Sequence, residues 1–358
     1  MFGWPELNRA LAEHRLTPPR LRLERGGDWT KGLFRSRRTR RGELMQDLDP
    51  AVLTERLRDG ATLILDAANE LSPPLQALCA GLAADFACSS QANLYACWGT
   101  SQGFDVHWDD HDVLVIQVEG RKHWRLYGAT RPSPTRKDLH AEHPKPAVPI
   151  EELVLEPGDI LYLPRGYWHA AVGLGEPTLH LTVGLTRKAG SDFLHWLADH
   201  LLSEADVRAD LPFEQGDAVM GAHLSGLLAR AATLDPEALG RAYRRHVEAA
   251  QAQRPELSFP RIGRPDEAFG PQTRFTLADG AARVIEAELG EVVLSWRGTE
   301  FRVAHSLAAP LRALAERRIL AYADIEAALP EDQRDKLPAF LGELVRRGAL
   351  VVQGRTGA

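Results

Sequence analysis

The chain has 358 residues, of which 44% are hydrophobic and 26% charged, and its net charge is -6. That length suits two or three domains, and the composition excludes a wholly disordered chain. No run of about 18 apolar residues is present to span a membrane.

The first 30 residues mix charge and proline throughout and lack the apolar core of a secretory signal. Residues 1–42 hold 11 Lys and Arg against four acids, a net of +7, so the other 316 residues carry -13. This basic part ends in Arg35-Ser36-Arg37-Arg38-Thr39-Arg40-Arg41. Such a run serves either as a nucleic-acid arm or as a solvated loop whose arginines pair with the acidic body. No aromatic residue is interleaved to stack bases, which favours the loop and speaks against a nucleic-acid partner. An acidic body attracts a basic protein or peptide instead.

Residues 5–80 read as mixed and mostly helical, with apolar-periodic stretches at 51–57 and 74–84 and a short strand at 61–65. Cys79, Cys88 and Cys97 are odd in number and form no CxxC, which argues against a disulfide framework and for a reducing cytoplasm. From residue 93 to 185 short runs rich in β-branched residues alternate with Gly and Pro turns. Strands are expected at 93–98, 113–118, 123–127, 152–155, 160–163 and 179–185, a spacing that suggests a barrel or sandwich. Residues 187–253 read as helical, with Phe193, Leu194, Leu197, Leu201 and Leu202 on one face. A face that wide, continued by Leu239, Tyr243, His246 and Val247, needs a covering surface, and a homodimer supplies it. Residues 254–271 read as a Pro-rich linker. The C-terminal part predicts two strands within 283–296 around Leu289-Gly290, three short helices, and a strand at 349–353 after Gly348. That order suggests a winged-helix-like domain. Its last helix balances Arg334, Lys336, Arg346 and Arg347 against Glu331, Asp332, Asp335 and Glu343, whereas DNA binding needs a net positive face, so a protein-contact role is expected.

The chemistry concentrates in Ser101-Gln102-Gly103-Phe104-Asp105-Val106-His107-Trp108-Asp109. On a strand, residues two apart share a face, so His107 and Asp109 present an imidazole and a carboxylate side by side. His169 follows some 60 residues later. Two histidines and one carboxylate form the facial triad of non-haem Fe(II) oxygenases, which leaves coordination positions open for a bidentate 2-oxo acid and O₂. His111 can share the face of His107 and Asp109 but reads as a neighbour rather than a ligand, and His180 as a packed strand residue.

Two long segments carry more than a triad. One runs His107-Trp108-Asp109-Asp110-His111-Asp112-Val113-Leu114-Val115-Ile116-Gln117-Val118-Glu119-Gly120-Arg121-Lys122-His123-Trp124-Arg125-Leu126-Tyr127; the other runs Gly158-Asp159-Ile160-Leu161-Tyr162-Leu163-Pro164-Arg165-Gly166-Tyr167-Trp168-His169. Both resemble the JmjC-type, cupin-like 2-oxoglutarate oxygenases, particularly the ribosomal oxygenase branch. The resemblance implies an α+β chain with a double-stranded β-helix (jelly-roll) core, helical segments and a winged-helix-like end. It divides the chain into an oxygenase domain over 1–187, dimerising helices over 188–255 and the terminal domain over 272–358. It implies Fe(II) on His107, Asp109 and His169, with 2-oxoglutarate and O₂ as co-substrates and Lys122 holding the far carboxylate. A dianion that chelates iron through one end leaves its other carboxylate buried, where a cation is needed. Asn93 and Thr182 are carried over as co-substrate residues and Tyr95 as a substrate residue. Hydroxylation of a protein or peptide side chain is the activity implied. A metal-dependent cupin that does not use 2-oxoglutarate, or a non-catalytic binding module, are the alternatives.

Overall fold

The computed structural model describes residues 2–140, 144–250, 257–259, 268–278, 283–286, 291–316 and 319–353. Two compact units emerge, Met1–Lys188 and Ala189–Ala358. No described helix is long and apolar enough to cross a membrane.

The first unit opens with α1 (Trp4–Glu13), where Pro5 sits in the first turn and Glu6 reaches back to the Gly3 N–H at 3.0 Å, a cap for otherwise unpaired helix donors. Then come β1 (Leu21–Glu24), β2 (Phe34–Arg38), β3 (Leu44–Leu48), α2 (Pro50–Arg58), β4 (Thr62–Leu65) and α3 (Pro73–Phe86). The two periodic stretches are helices as expected. The reading of 5–80 as mostly helical misses three strands, among them the arginine run itself. Residues 34–38 pair with 44–48 as a separate hairpin, and Arg37–Asp47 and Arg35–Asp49 ion pairs hold two of its arginines. One of the acids that pair them, Asp47, lies on the facing strand, and the other, Asp49, caps the helix that follows it, rather than both coming from a distant acidic surface.

The barrel follows: β5 (Ser89–Cys97), β6 (Asp112–Glu119), β7 (Lys122–Ala129), β8 (Glu151–Leu155), β9 (Ile160–Leu163), β10 (Tyr167–Gly173) and β11 (Thr178–Thr186). A six-stranded sheet of order β1-β4-β5-β11-β6-β9 faces a three-stranded sheet of order β10-β7-β8. All pairings are antiparallel, the jelly-roll arrangement of a double-stranded β-helix. Alternation along β11 divides its residues. Leu179, Leu181, Val183 and Leu185 join the core beneath α1, α2 and α3. Trp124 and Leu126 of the small sheet pack with Val113 and Val115 of the large one inside the barrel. Full burial of such leucines contributes roughly 1.5–3 kcal/mol each. This fixes the register, because a slip of one residue would turn every leucine of β11 inward.

The second unit contains α4 (Gly190–His200), α5 (Asp217–Ala232), α6 (Pro236–Ala250), β12 (Arg274–Leu277), β13 (Arg283–Glu286), β14 (Glu291–Trp296), β15 (Thr299–Ala304), α7 (Ala308–Ala315), β16 (Leu320–Ala321), α8 (Tyr322–Ala327), α9 (Leu337–Arg346) and β17 (Leu350–Gln353). Two three-stranded sheets form, β16-β12-β17 and β13-β14-β15. They cover a core of Phe275, Leu294, Leu311, Ile325, Leu341, Leu344 and Leu350. Most of the expected linker, and the turn at Leu289-Gly290, lie outside the described residues.

Candidate metal centre

The two expected ligand segments meet at the barrel mouth. His107 and Asp109 lie on the loop between β5 and β6 rather than on a strand, so the face-sharing argument of two strand residues does not place them. A β-bridge does. The backbones of His107 and His169 exchange hydrogen bonds of 3.1 and 2.8 Å, and Gln102 makes a further bridge to Val172, so the loop is held to β10 as a strand would be at single points. His169 itself stands on β10, after a turn in which Gly166 takes a φ of +79°.

His107, Asp109 and His169 each offer one ligand atom, and these atoms lie within 4.8 Å of one another. The imidazole centroids are 4.4 Å apart, and Nε2 of His169 lies 3.6 Å from Oδ2 of Asp109. In both histidines Nδ1 meets a backbone carbonyl, that of Asp105 at 2.8 Å and that of Tyr167 at 2.9 Å. Nδ1 of each is therefore the protonated nitrogen, and the Nε2 lone pair is left for a cation. Burial, with His107 beside it, pushes the His169 imidazole below its ordinary value, so it rests in the neutral, ligating form. The donor set fits a divalent transition metal.

Behind the triad runs a wall of rings. Trp124 stacks on His169 at 5.9 Å, and its edge meets His180 at 5.6 Å. His180 stacks on Tyr95 at 5.0 Å with only 7° between planes, the two being cross-strand partners. Lys122, first residue of β7, is 6% exposed. Burial lowers its pKa, with Cys97 among its neighbours, and its charge in turn adds to the burial that holds His180 well below the usual imidazole value. No ion pair to Lys122 occurs among the described residues. Nε1 of Trp124 and Nδ1 of His180 are buried without a partner. An unpaired buried cation beside two unused polar atoms fits a small anionic guest.

Of the other expected residues, Asn93, Tyr95, His180 and Thr182 share the inner face of the large sheet, with Asn93 opposite Thr182. The Asn93 Oδ1 accepts from the Ala67 N–H and from Gln91 Nε2, both at 2.9 Å. The Tyr95 phenol is pushed up to about 12 by burial, with Asp109 adding to the effect, and so keeps its proton. His111 stands aside from the triad. Its Nδ1 meets Asp110 at 2.9 Å, and its ring lies over Gly184. Trp124 and the pairing role of His180 were not visible in the sequence, since an aromatic and a histidine on strands read as packing.

The class that fold and site define is a cupin-like barrel with a two-histidine, one-carboxylate centre. Residues 72–193, the span that contains the barrel, match the family model of the JmjC domain. Among curated proteins, the bifunctional lysine-specific demethylase and histidyl-hydroxylase NO66 of Aedes aegypti is 39% identical over 137 residues, covering 36% of this chain and 22% of that protein. Ribosomal oxygenase 1 of Gallus gallus is 35% identical over 172 residues, 47% of this chain and 28% of that protein. The matches thus span about a quarter of the length of these relatives. Among solved structures, the ribosomal oxygenase YcfD of Escherichia coli, in complex with cobalt and succinic acid, superposes with a TM-score of 0.60 at 19% identity over 98% of this chain and 91% of that one. The likeness of fold therefore extends through both units.

Proposed function

We propose that this chain is an Fe(II)- and 2-oxoglutarate-dependent oxygenase that hydroxylates a side chain of a protein or peptide. The observation that carries the reading is the triad with both Nε2 atoms freed, backed by a buried lysine with no ion-pair partner among the described residues. His107, Asp109 and His169 would hold Fe(II), which supplies the activation of O₂ that couples oxidation of 2-oxoglutarate, to succinate and CO₂, to hydroxylation of a C–H bond. Lys122 would neutralise the far carboxylate of 2-oxoglutarate, with Thr182 and Asn93 on the same inner face. Tyr95, its proton retained, would line the substrate entrance and with Trp124 keep water from the reacting groups.

The names of the relatives support a histidyl, or another basic side chain, of a ribosomal protein as first target, and the acidic balance of the body suits a basic partner. The helices of 188–255 would pair two copies, since α4 and α5 bury no residue of their own. Residues 272–358 would serve as a winged-helix-like protein-contact domain. The three cysteines are free and buried, which agrees with a reducing cytoplasm.

The test is incubation of the purified protein with Fe(II), 2-oxoglutarate and a whole-cell protein extract, followed by mass spectrometry for added oxygen and by succinate measurement. Succinate formation with one oxygen added to a protein residue is expected. Iron binding with no turnover of 2-oxoglutarate would instead favour a cupin enzyme of different chemistry.

A further inference from the structure

Four hydrogen bonds tie the two triad-bearing segments together. Two are the paired bonds between His107 and His169, and in a third the Gly166 N–H donates to the Asp109 carbonyl at 2.8 Å. The fourth alone depends on a side chain: the backbone N–H of Arg165 donates to Oδ1 of Asp112 at 3.0 Å. Asp112 is 8% exposed, at the first residue of β6. Its Oδ2 lies 3.3 Å from Nη1 of Arg187, and the Tyr162 hydroxyl faces the same carboxylate. A buried carboxylate is costly unless donors and cations meet it. Here the donors come from separate segments. One is the turn leading into His169, and another is the residue just past the end of β11. The carboxylate itself sits three residues beyond Asp109.

We infer that Asp112 is a positioning residue for the metal centre. It holds the 164–166 turn against the 105–111 loop, and so sets the separation of Asp109 from His169. The inference rests on the metal-binding reading given above. Arg187 steadies the carboxylate from its outer side, where about half of the arginine side chain meets solvent, so its share is small.

The turn offers a way to remove the same bond from the other partner. The Tyr167 N–H donates to the Pro164 carbonyl at 3.1 Å, and Gly166 has positive φ while Arg165 does not. These are the marks of a type II turn with Arg165 at its second position, where proline is at home. Arg165→Pro therefore keeps the turn but deletes the N–H that donates to Asp112, and its ring carbon, standing where that hydrogen stood, turns the carboxylate away.

The experiment is a Co(II) titration of the full chain, read by visible absorption, with thermal unfolding of the metal-free proteins alongside. Asp112→Ala is expected to weaken Co(II) binding by about ten- to a hundredfold, the range for residues that orient ligands, and to alter the Co(II) spectrum. Arg165→Pro should act in the same direction. Asp112→Asn keeps an oxygen for the Arg165 N–H and should recover most of the affinity, and Arg187→Ala should lose little. Metal-free melting temperatures should stay close together. Should Asp112→Ala fail to fold, Arg165→Pro carries the test alone. Wild-type affinity and spectrum in Arg165→Pro would overturn the inference, as would Asp112→Asn binding no better than Asp112→Ala. His107→Ala is the control. If it abolishes Co(II) binding while Arg165→Pro is unaffected, only the role of Asp112 falls. If it binds Co(II) normally, the metal-binding reading falls with it.

Discussion

Lys122 is placed where its charge is a liability until a guest arrives. In the metal-free barrel burial disfavours its charged form. Lys122→Met, which fills the same space without charge, is therefore expected to raise the metal-free melting temperature while losing 2-oxoglutarate turnover. On the proposed reading, Lys122→Ala leaves the far carboxylate of 2-oxoglutarate unpaired. That costs roughly 3–5 kcal/mol, about two to four orders of magnitude in the apparent affinity for 2-oxoglutarate, with Co(II) binding spared. An unchanged affinity in a 2-oxoglutarate titration would move the search for the co-substrate cation elsewhere. His180 gives a pH signature. Its folded pKa is held below the ordinary 6.5, so the unfolded chain takes up a proton that the barrel refuses. Stability should therefore fall as pH drops below that ordinary value. Urea unfolding at pH 7.5 and 5.5 reads this, and His180→Phe should flatten part of the difference. The triad was legible because His107, Asp109 and His169 sit in distinctive surroundings. His180 was not, because only its stacking on Tyr95 and its orphaned Nδ1 separate it from an ordinary core histidine.

At the scale of the element, β11 shows how a strand can be shaped by a side chain it does not carry. A Cβ at Gly184 would lie 2.8 Å from the His111 ring, closer than packed atoms allow. Gly184→Ala is expected to push His111 off Asp110 and destabilise the chain by about 1–3 kcal/mol. The same change in a His111→Ala background should cost much less. Additive costs in the four-protein unfolding cycle would mean that the two residues do not compete for space. Strands β5, β6, β7, β8, β9 and β11 were legible from apolar runs between turns. β10 was not: Trp168, His169 and Ala170 are all buried, and a strand covered on both faces shows no period of two. β2 and β3 were hidden for the opposite reason. The arginines of β2 are exposed, and their partners, Asp47 across the hairpin and Asp49 at the cap of α2, are invisible to a local window.

At the scale of the molecule, the helices of the second unit leave apolar surface uncovered. Part of the face expected from the sequence is used internally, since Phe193 and Trp196 of α4 pack on Tyr243 of α6 at 5.3 and 5.2 Å. Leu194 and Leu228 remain 63% and 72% exposed. We expect light scattering at micromolar concentration to give twice the chain mass, and Leu194→Glu with Leu228→Glu to halve it. A monomeric wild type would leave this surface to another partner.

Both triad histidines are oriented by carbonyls of their own chain, two residues upstream in each case. The choice of which nitrogen bears the proton is thus written into backbone shape, and no side chain can be exchanged to reverse it. Drift in the surrounding sequence can shift these residues apart or together, through contacts such as that of Asp112, but it leaves the choice of ligating nitrogen untouched. Distance and angle at this centre are thus open to selection through neighbouring side chains, while the nitrogen each histidine presents is fixed by the path of the chain.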